Sequence, residues 1–111
     1  MSEPATDSEL VLRNVVDGVA EIRMNRPDVR NALSHGLIEA LEDAIEAVEK
    51  DPEIRVVVLA GEGKSFCAGM DLKAVAKDPH AMADMLRALS RVARRVRRLR
   101  VPVVARVQGA A

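Results

Sequence analysis

The stretch in which residue types and spacing point most directly to chemistry is Gly61-Glu-Gly-Lys-Ser-Phe-Cys-Ala-Gly-Met-Asp-Leu72. It fails as a nucleotide motif. A P-loop requires a glycine where Val58 stands, and a dinucleotide fingerprint requires one where Phe66 stands. Without those glycines the backbone cannot close on a phosphate. What the stretch does offer is a glycine loop and then small residues, Ala68-Gly69, leading into an expected short helix. The first N–H groups of a helix lack internal partners and point outward. Aimed at a carbonyl oxygen, such donors stabilise the charge that develops when a thioester enolises. On these residues alone a plain strand-to-helix connection is the expected reading, and the donor site is the alternative. Asp71 is well placed to cap that helix, and this is a simpler role for it than catalysis.

Other reactive types are less suggestive. Cys67 has no histidine near it in sequence to act as an activating base, so a small buried hydrophobe is the expected role. His35 and His80 read as surface residues. Arg91, Arg94, Arg95, Arg97, Arg98 and Arg100 form a basic cluster. Polyanion binding, RNA included, is one reading; a solvated helix face favoured by the helix dipole is the other, and the one expected here.

The elements that position these residues follow from pattern. Asp17-Gly18 is a turn dipeptide between Leu10–Leu12 and Val19–Met24, which predicts a hairpin with one wet face. Pro27 breaks the second strand. Ser34 is a good N-cap, and Leu37, Ile38, Leu41, Ala44, Ile45 and Val48 recur at helical spacing, predicting a helix over 34–50. Val56–Ala60 is a β-branched run without alternation, the mark of a strand covered on both faces in a parallel sheet. A short helix is expected from Asp71 to Ala76. Asp78-Pro79 opens the next helix, with Met82, Leu86, Leu89, Ala93, Val96 and Leu99 as its apolar stripe. Val101 to Val107 is a final strand. This order gives an α/β class with crossover helices.

Composition narrows the classes. Over 111 residues, aromatics amount to 1%, Phe66 being the sole one, so the core is aliphatic, with Met24, Met82 and Met85 among its fillers. Base-stacking platforms are missing, and nucleic acid is therefore not an expected partner. Formal net charge is zero, which gives no bias toward polyanions or anionic membranes. One cysteine excludes an intrachain disulfide and a multi-cysteine zinc site. The polar start, residues 1–8, reads as a flexible tail ahead of a single unit over 9–111. It lacks the pattern of a signal peptide, no run is long enough to span a bilayer, and a cytoplasmic location is the expectation.

Three segments together resemble the crotonase (enoyl-CoA hydratase/isomerase) superfamily. Phe66-Cys-Ala-Gly-Met-Asp-Leu72 is similar to the signature F-x-A-G-x-D-[IL]. Met24-Asn-Arg-Pro-Asp-Val-Arg-Asn-Ala-Leu33 resembles L-N-R-P-x-x-x-N-A-L, and Pro102-Val-Val-Ala-Arg-Val-Gln-Gly109 resembles P-V-I-A-A-V-x-G. They occur in family order from Leu10 to the end of the chain.

The resemblance implies the opening part of a ββα spiral, cut after the strand near 101–107. It implies an acyl-CoA substrate, coenzyme A being part of that substrate rather than a separate cofactor, and no metal. By matched position the Met70 N–H becomes one donor of an oxyanion hole. Asp28, Val29, Arg30 and Ala32 fall where the family shapes a pocket for the CoA arm, and Ala68, Met70, Asp71, Leu72 and Lys73 where it lines the acyl-thioester channel. The family further implies a homo-oligomer, a trimer or dimer of trimers. The second oxyanion donor and the acid and base glutamates of a hydratase have no matched positions here. Residues 1–111 alone are accordingly expected to be inactive and prone to associate, and a non-catalytic interaction domain stands as the alternative to an enzyme.

Overall fold

A computed structural model describes residues 9–109; the expected tail over 1–8 lies outside the described residues. Strands β1 (Val11–Val16) and β2 (Val19–Met24) form the hairpin, with Asp17 at φ 53° and Gly18 at φ 81° in its turn. Positive φ at both central turn residues gives the twist that matches two flanking strands. Helix α1 (His35–Glu49) follows, then β3 (Val56–Gly61), α2 (Pro79–Arg97) and a three-residue β4 (Val103–Ala105). One sheet runs in the order β1-β2-β3-β4, antiparallel in the first pair and parallel in the other two. The β2–α1–β3 and β3–α2–β4 crossovers are those expected for an α/β chain.

Both helix starts obey their caps. The Ser34 hydroxyl accepts from the Leu37 N–H at 3.2 Å, and the Asp78 carboxylate accepts from the N–H groups of His80 and Ala81 at 3.0 and 3.2 Å. The α1 stripe buries Leu37, Ile38, Leu41, Ala44, Ile45 and Val48 as anticipated. They meet Ala20, Ile22, Met24 and Val57 on one face of the sheet.

Three expectations change. The buried face of α2 is Met85, Ala88 and Val92, with Leu86 47% exposed and Ala93 exposed. The helix is rotated by about one residue from the anticipated stripe because α2 rests chiefly on α1 rather than on the sheet, and α1 reaches the 85/88/92 line. Among the expected methionines, Met24 and Met85 are buried and Met82 is half-buried against the core.

Second, among the described residues β3 carries helices on one face only. On its other face Val56 and Val58 are half-buried and Ala60 is buried. There Glu21 pairs in register with Val58, and Arg23 with Ala60. Their side chains join Glu62 and Arg106 in an ion-pair network that lies over the aliphatic strand. Long charged side chains can shield apolar surface while keeping their heads wet. Burial raises the Glu21 carboxyl, but hydrogen bonds from Arg23 and Arg106 outweigh it and hold the group below its ordinary range.

Third, the final strand is shorter than Val101–Val107. Pro102 has no N–H to donate, although its carbonyl accepts from Val57. Arg106 N–H still donates to Leu59 O at 2.8 Å, and beyond it the chain leaves the sheet: the Gln108 carbonyl accepts from Phe66 N–H at 2.8 Å, and its carboxamide donates to Gly61 O at 2.7 Å. No helix among the described residues is long and apolar enough to cross a membrane.

Candidate functional site

Two loops separated by α1 and β3 build one cleft. In the first, Pro27–Val29 forms a 3-10 turn in which Val29 N–H donates to Arg26 O and Arg30 N–H to Pro27 O, and Arg30 and Asn31 follow in the left-handed region at φ 53° and 56°. Two consecutive non-glycine residues in that region carry strain. Asn31 offsets it with hydrogen bonds. Its side chain is fully buried; Oδ1 accepts from Arg26 N–H at 2.7 Å, and Nδ2 donates to Glu62 O at 3.0 Å and Ser65 O at 2.9 Å. The loop after β3 is thereby tied to the loop after β2. Gly61 has to be a glycine at this junction, since a Cβ there would collide with the Phe66 and Ser65 carbonyls and the Asn31 side chain.

The second loop then runs beside the first. Ala68 N–H donates to Arg30 O at 2.9 Å, Leu33 N–H to Gly69 O at 2.7 Å, and Asp71 N–H to Leu33 O at 2.8 Å. The last two bonds define a parallel bridge between Leu33 and Met70. In such a bridge the N–H of the central residue points to the side opposite its partner. The Met70 N–H accordingly faces away from Leu33, and it has no hydrogen-bond partner among the described residues.

A cleft of about 680 Å³ opens between the loops. Asp28, Val29, Arg30 and Ala32 form one wall; Ala68, Met70, Asp71, Leu72 and Lys73 form the other. All nine residues singled out from the sequence lie on it. Leu72 is 54% exposed and Val29 38%, an apolar lip next to the charged groups of Arg30 and Lys73. The volume falls in the range typical of small-molecule sites.

Asp71 does not act as a helix cap. The element after it is a three-residue 3-10 turn, Leu72–Ala74, and its side chain makes no cap hydrogen bond. Instead it accepts from Arg26 Nη2 at 3.4 Å. The orientation of the Met70 N–H therefore comes from the Leu33 bridge rather than from a helix N-terminus, because so short a turn has no appreciable dipole. Cys67 is half-buried and packed against the core rather than fully buried. His35 is exposed and contacts Glu39, and His80 is exposed.

Sequence reasoning assigned no role to the Arg26 or Gln108 side chains, and it placed Asn31 only within the pocket-shaping span from Asp28 to Ala32, not as a link between the loops. Arg26 and Asn31 stand inside the segment matching N-R-P-x-x-x-N, but their spacing carries no periodic signal, and each has a partner more than thirty residues away: Asp71 for Arg26, Glu62 and Ser65 for Asn31.

The arginine cluster divides in two. Arg91 and Arg95 pair with Glu42 at 2.7 and 3.1 Å, Arg95 also with Glu49 at 2.6 Å, and Arg100 donates to Ile54 O at 3.0 Å. Arg94, Arg97 and Arg98 remain on the solvated side. Half the cluster thus joins α2 to α1 and the turn after it.

Known proteins resemble this chain in sequence and in fold. The Enoyl-CoA hydratase/isomerase family matches residues 14–111. An enoyl-CoA hydratase of Mycobacterium tuberculosis is 42% identical over 94 residues, covering 81% of this chain and 35% of that protein. The 1,2-epoxyphenylacetyl-CoA isomerase of Escherichia coli is 34% identical over 93% of this chain and 41% of its own length. Among solved structures, a putative enoyl-CoA hydratase/carnithine racemase from Magnetospirillum magneticum superposes with a TM-score of 0.82 at 40% identity, over 94% of this chain and 40% of that one. The chain thus spans between a third and a half of the length of these relatives. The family match covers residues 14–111, the relatives are 34–42% identical, and the solved structure superposes over 94% of the chain: the chain belongs to the enoyl-CoA hydratase/isomerase family.

Proposed function

We propose that the protein containing this chain transforms acyl-CoA thioesters by hydratase or isomerase chemistry, with the cleft receiving the thioester. The observation that carries this reading is the Met70 N–H: a donor without a partner among the described residues, on the wall of a cleft of about 680 Å³. A backbone donor held by a bridge costs no reorganisation when charge develops on the thioester oxygen. Ala68 and Gly69 keep that approach open; a Cβ at Gly69 would meet nothing within 4 Å. Arg30 and Lys73, on a lining that also holds Asp28 and Asp71, offer cationic groups to the anionic end of coenzyme A, which enters as part of the substrate, so no separate cofactor is required. Names among the relatives agree with a CoA-thioester substrate, including the isomerase above and a 3-hydroxyisobutyryl-CoA hydrolase of Arabidopsis thaliana, 38% identical over 76 residues.

One donor does not make an oxyanion hole, and hydration further needs a positioned acid and base. Of the two carboxylates on the cleft, Asp71 is engaged by Arg26 and Asp28 is exposed. We place the second donor and the acid and base outside these 111 residues, and assembly into a homo-oligomer in the whole protein. The test compares the native gene product with purified residues 1–111 on a 2-enoyl-CoA. Turnover by the first and none above the buffer rate by the second is expected. Turnover by residues 1–111 alone would show that the active site is misplaced; an inactive native product on every acyl-CoA tried would remove the enzymatic reading.

A further inference from the structure

We propose that Arg26 is a positioning residue for the reaction: its guanidinium straps Asp71, and through it the Met70 N–H, to the opposite wall of the cleft at Ala32. Arg26 does not line the cleft. It stands behind it, about four-fifths covered, and its two terminal nitrogens serve different walls. Nη1 donates to Ala32 O at 2.6 Å, and Nη2 to Asp71 Oδ2 at 3.4 Å. The rigid fork of a guanidinium presents a separate nitrogen to each acceptor, whereas a lysine would have to serve both from one flexible ammonium.

The backbone of Arg26 is itself fixed. Its N–H donates to Asn31 Oδ1 at 2.7 Å and its carbonyl accepts from Asn31 N–H at 2.8 Å. Pro27 restricts it further from the following position. The chain of constraint therefore runs from buried Asn31 to the Arg26 backbone, out along its side chain, and onto Asp71, the residue bonded to Met70. Across the cleft the Leu33–Met70 bridge fixes the direction of the Met70 N–H, and the Arg26 strap fixes how far its segment stands from the Ala32 wall. A donor displaced by about 1 Å can cost on the order of 100-fold in turnover.

This inference rests on the assignment of Met70 as an oxyanion donor, so the experiment separates the two. Steady-state kinetics on an enoyl-CoA are measured for the native gene product and its Arg26→Met, Asp71→Asn, Met70→Pro and Arg26→Met/Met70→Pro variants. Circular dichroism checks each fold. Arg26→Met is expected to lower kcat by roughly 10- to 100-fold with KM nearly unchanged, and Asp71→Asn to do the same more weakly. In the Met70→Pro background Arg26→Met is expected to add nothing, because the group it positions is gone. A role in stability alone would instead multiply the two losses. Full additivity, a change in KM alone, or unchanged kcat in Arg26→Met overturns the strap while leaving Met70 in place. Wild-type kcat in Met70→Pro overturns the oxyanion assignment, and the strap with it. Should Arg26→Met not fold, Asp71→Asn alone and with Met70→Pro decides by the same criterion.

Discussion

Leu33 and Met70 lie side by side in a parallel bridge, closed by Leu33 N–H to Gly69 O at 2.7 Å and Asp71 N–H to Leu33 O at 2.8 Å. All of α1 and β3 separates them in the chain. The bridge gives an irregular loop the directional order of a strand at one residue, and it turns one backbone donor outward.

Asn31 is the first place to test how these loops are held. Its side chain is fully buried and makes three hydrogen bonds, to Arg26, Glu62 and Ser65. Asn31→Ala leaves a buried donor and two carbonyls short of partners, and is expected to destabilise the fold by roughly 2–4 kcal/mol. Urea denaturation measures it. A loss below about 0.5 kcal/mol would match an ordinary surface change and not a buried hub.

The rotation of α2 makes a paired prediction. Met85→Ala removes a fully buried side chain and is expected to cost roughly 2–4 kcal/mol. Leu86→Ala, at a position 47% exposed, is expected to cost under about 1 kcal/mol. The reverse ranking in thermal or urea denaturation would restore the stripe expected from sequence.

Glu42 links α1 to α2 and makes stability depend on pH. The hydrogen bond from Arg91, then that from Arg95, holds its carboxyl below the usual range. Its folded pKa is depressed, so the unfolded chain binds the proton more readily. The contribution is present above the ordinary glutamate value of about 4.3 and is lost as pH falls through the folded value. Glu42→Gln should therefore destabilise the protein at neutral pH and flatten the acid limb of its stability curve. An acid limb identical to that of the unsubstituted protein would detach Glu42 from acid sensitivity.

The fold was largely legible because its signals are local and periodic. The Asp17-Gly18 turn, the Ser34 and Asp78 caps and the α1 stripe each rest on side-chain chemistry within a few residues. The phase of α2 was not, since Ala88 and Val92 alternate with arginines that look exposed until α1 supplies Glu42 and Glu49. The strands misled in two ways. Val56–Ala60 reads as covered on both faces because the stems of Glu21 and Arg23 shield one of them, and shielding by a charged side chain has no hydrophobic signature. Val101–Val107 reads as all strand because nothing local says that Gln108 will turn to Gly61 and Phe66. The walls of the cleft were placed by resemblance. The hydrogen bonds by which Asn31 and Arg26 hold the walls were not, as the Glu62 and Ser65 carbonyls and the Asp71 carboxylate lie far along the chain.

The most direct test of the central claim is kcat for Met70→Pro beside Met70→Ala in the native gene product acting on an enoyl-CoA. Proline deletes the N–H, which has no partner among the described residues, so no internal hydrogen bond is lost with it. Alanine keeps the N–H and changes only the side chain. Loss of one oxyanion donor is expected to reduce kcat by roughly 100- to 1,000-fold in the proline variant, while the alanine variant stays within about 10-fold of the unsubstituted protein. A folded Met70→Pro protein that turns over at the unsubstituted rate would contradict the account.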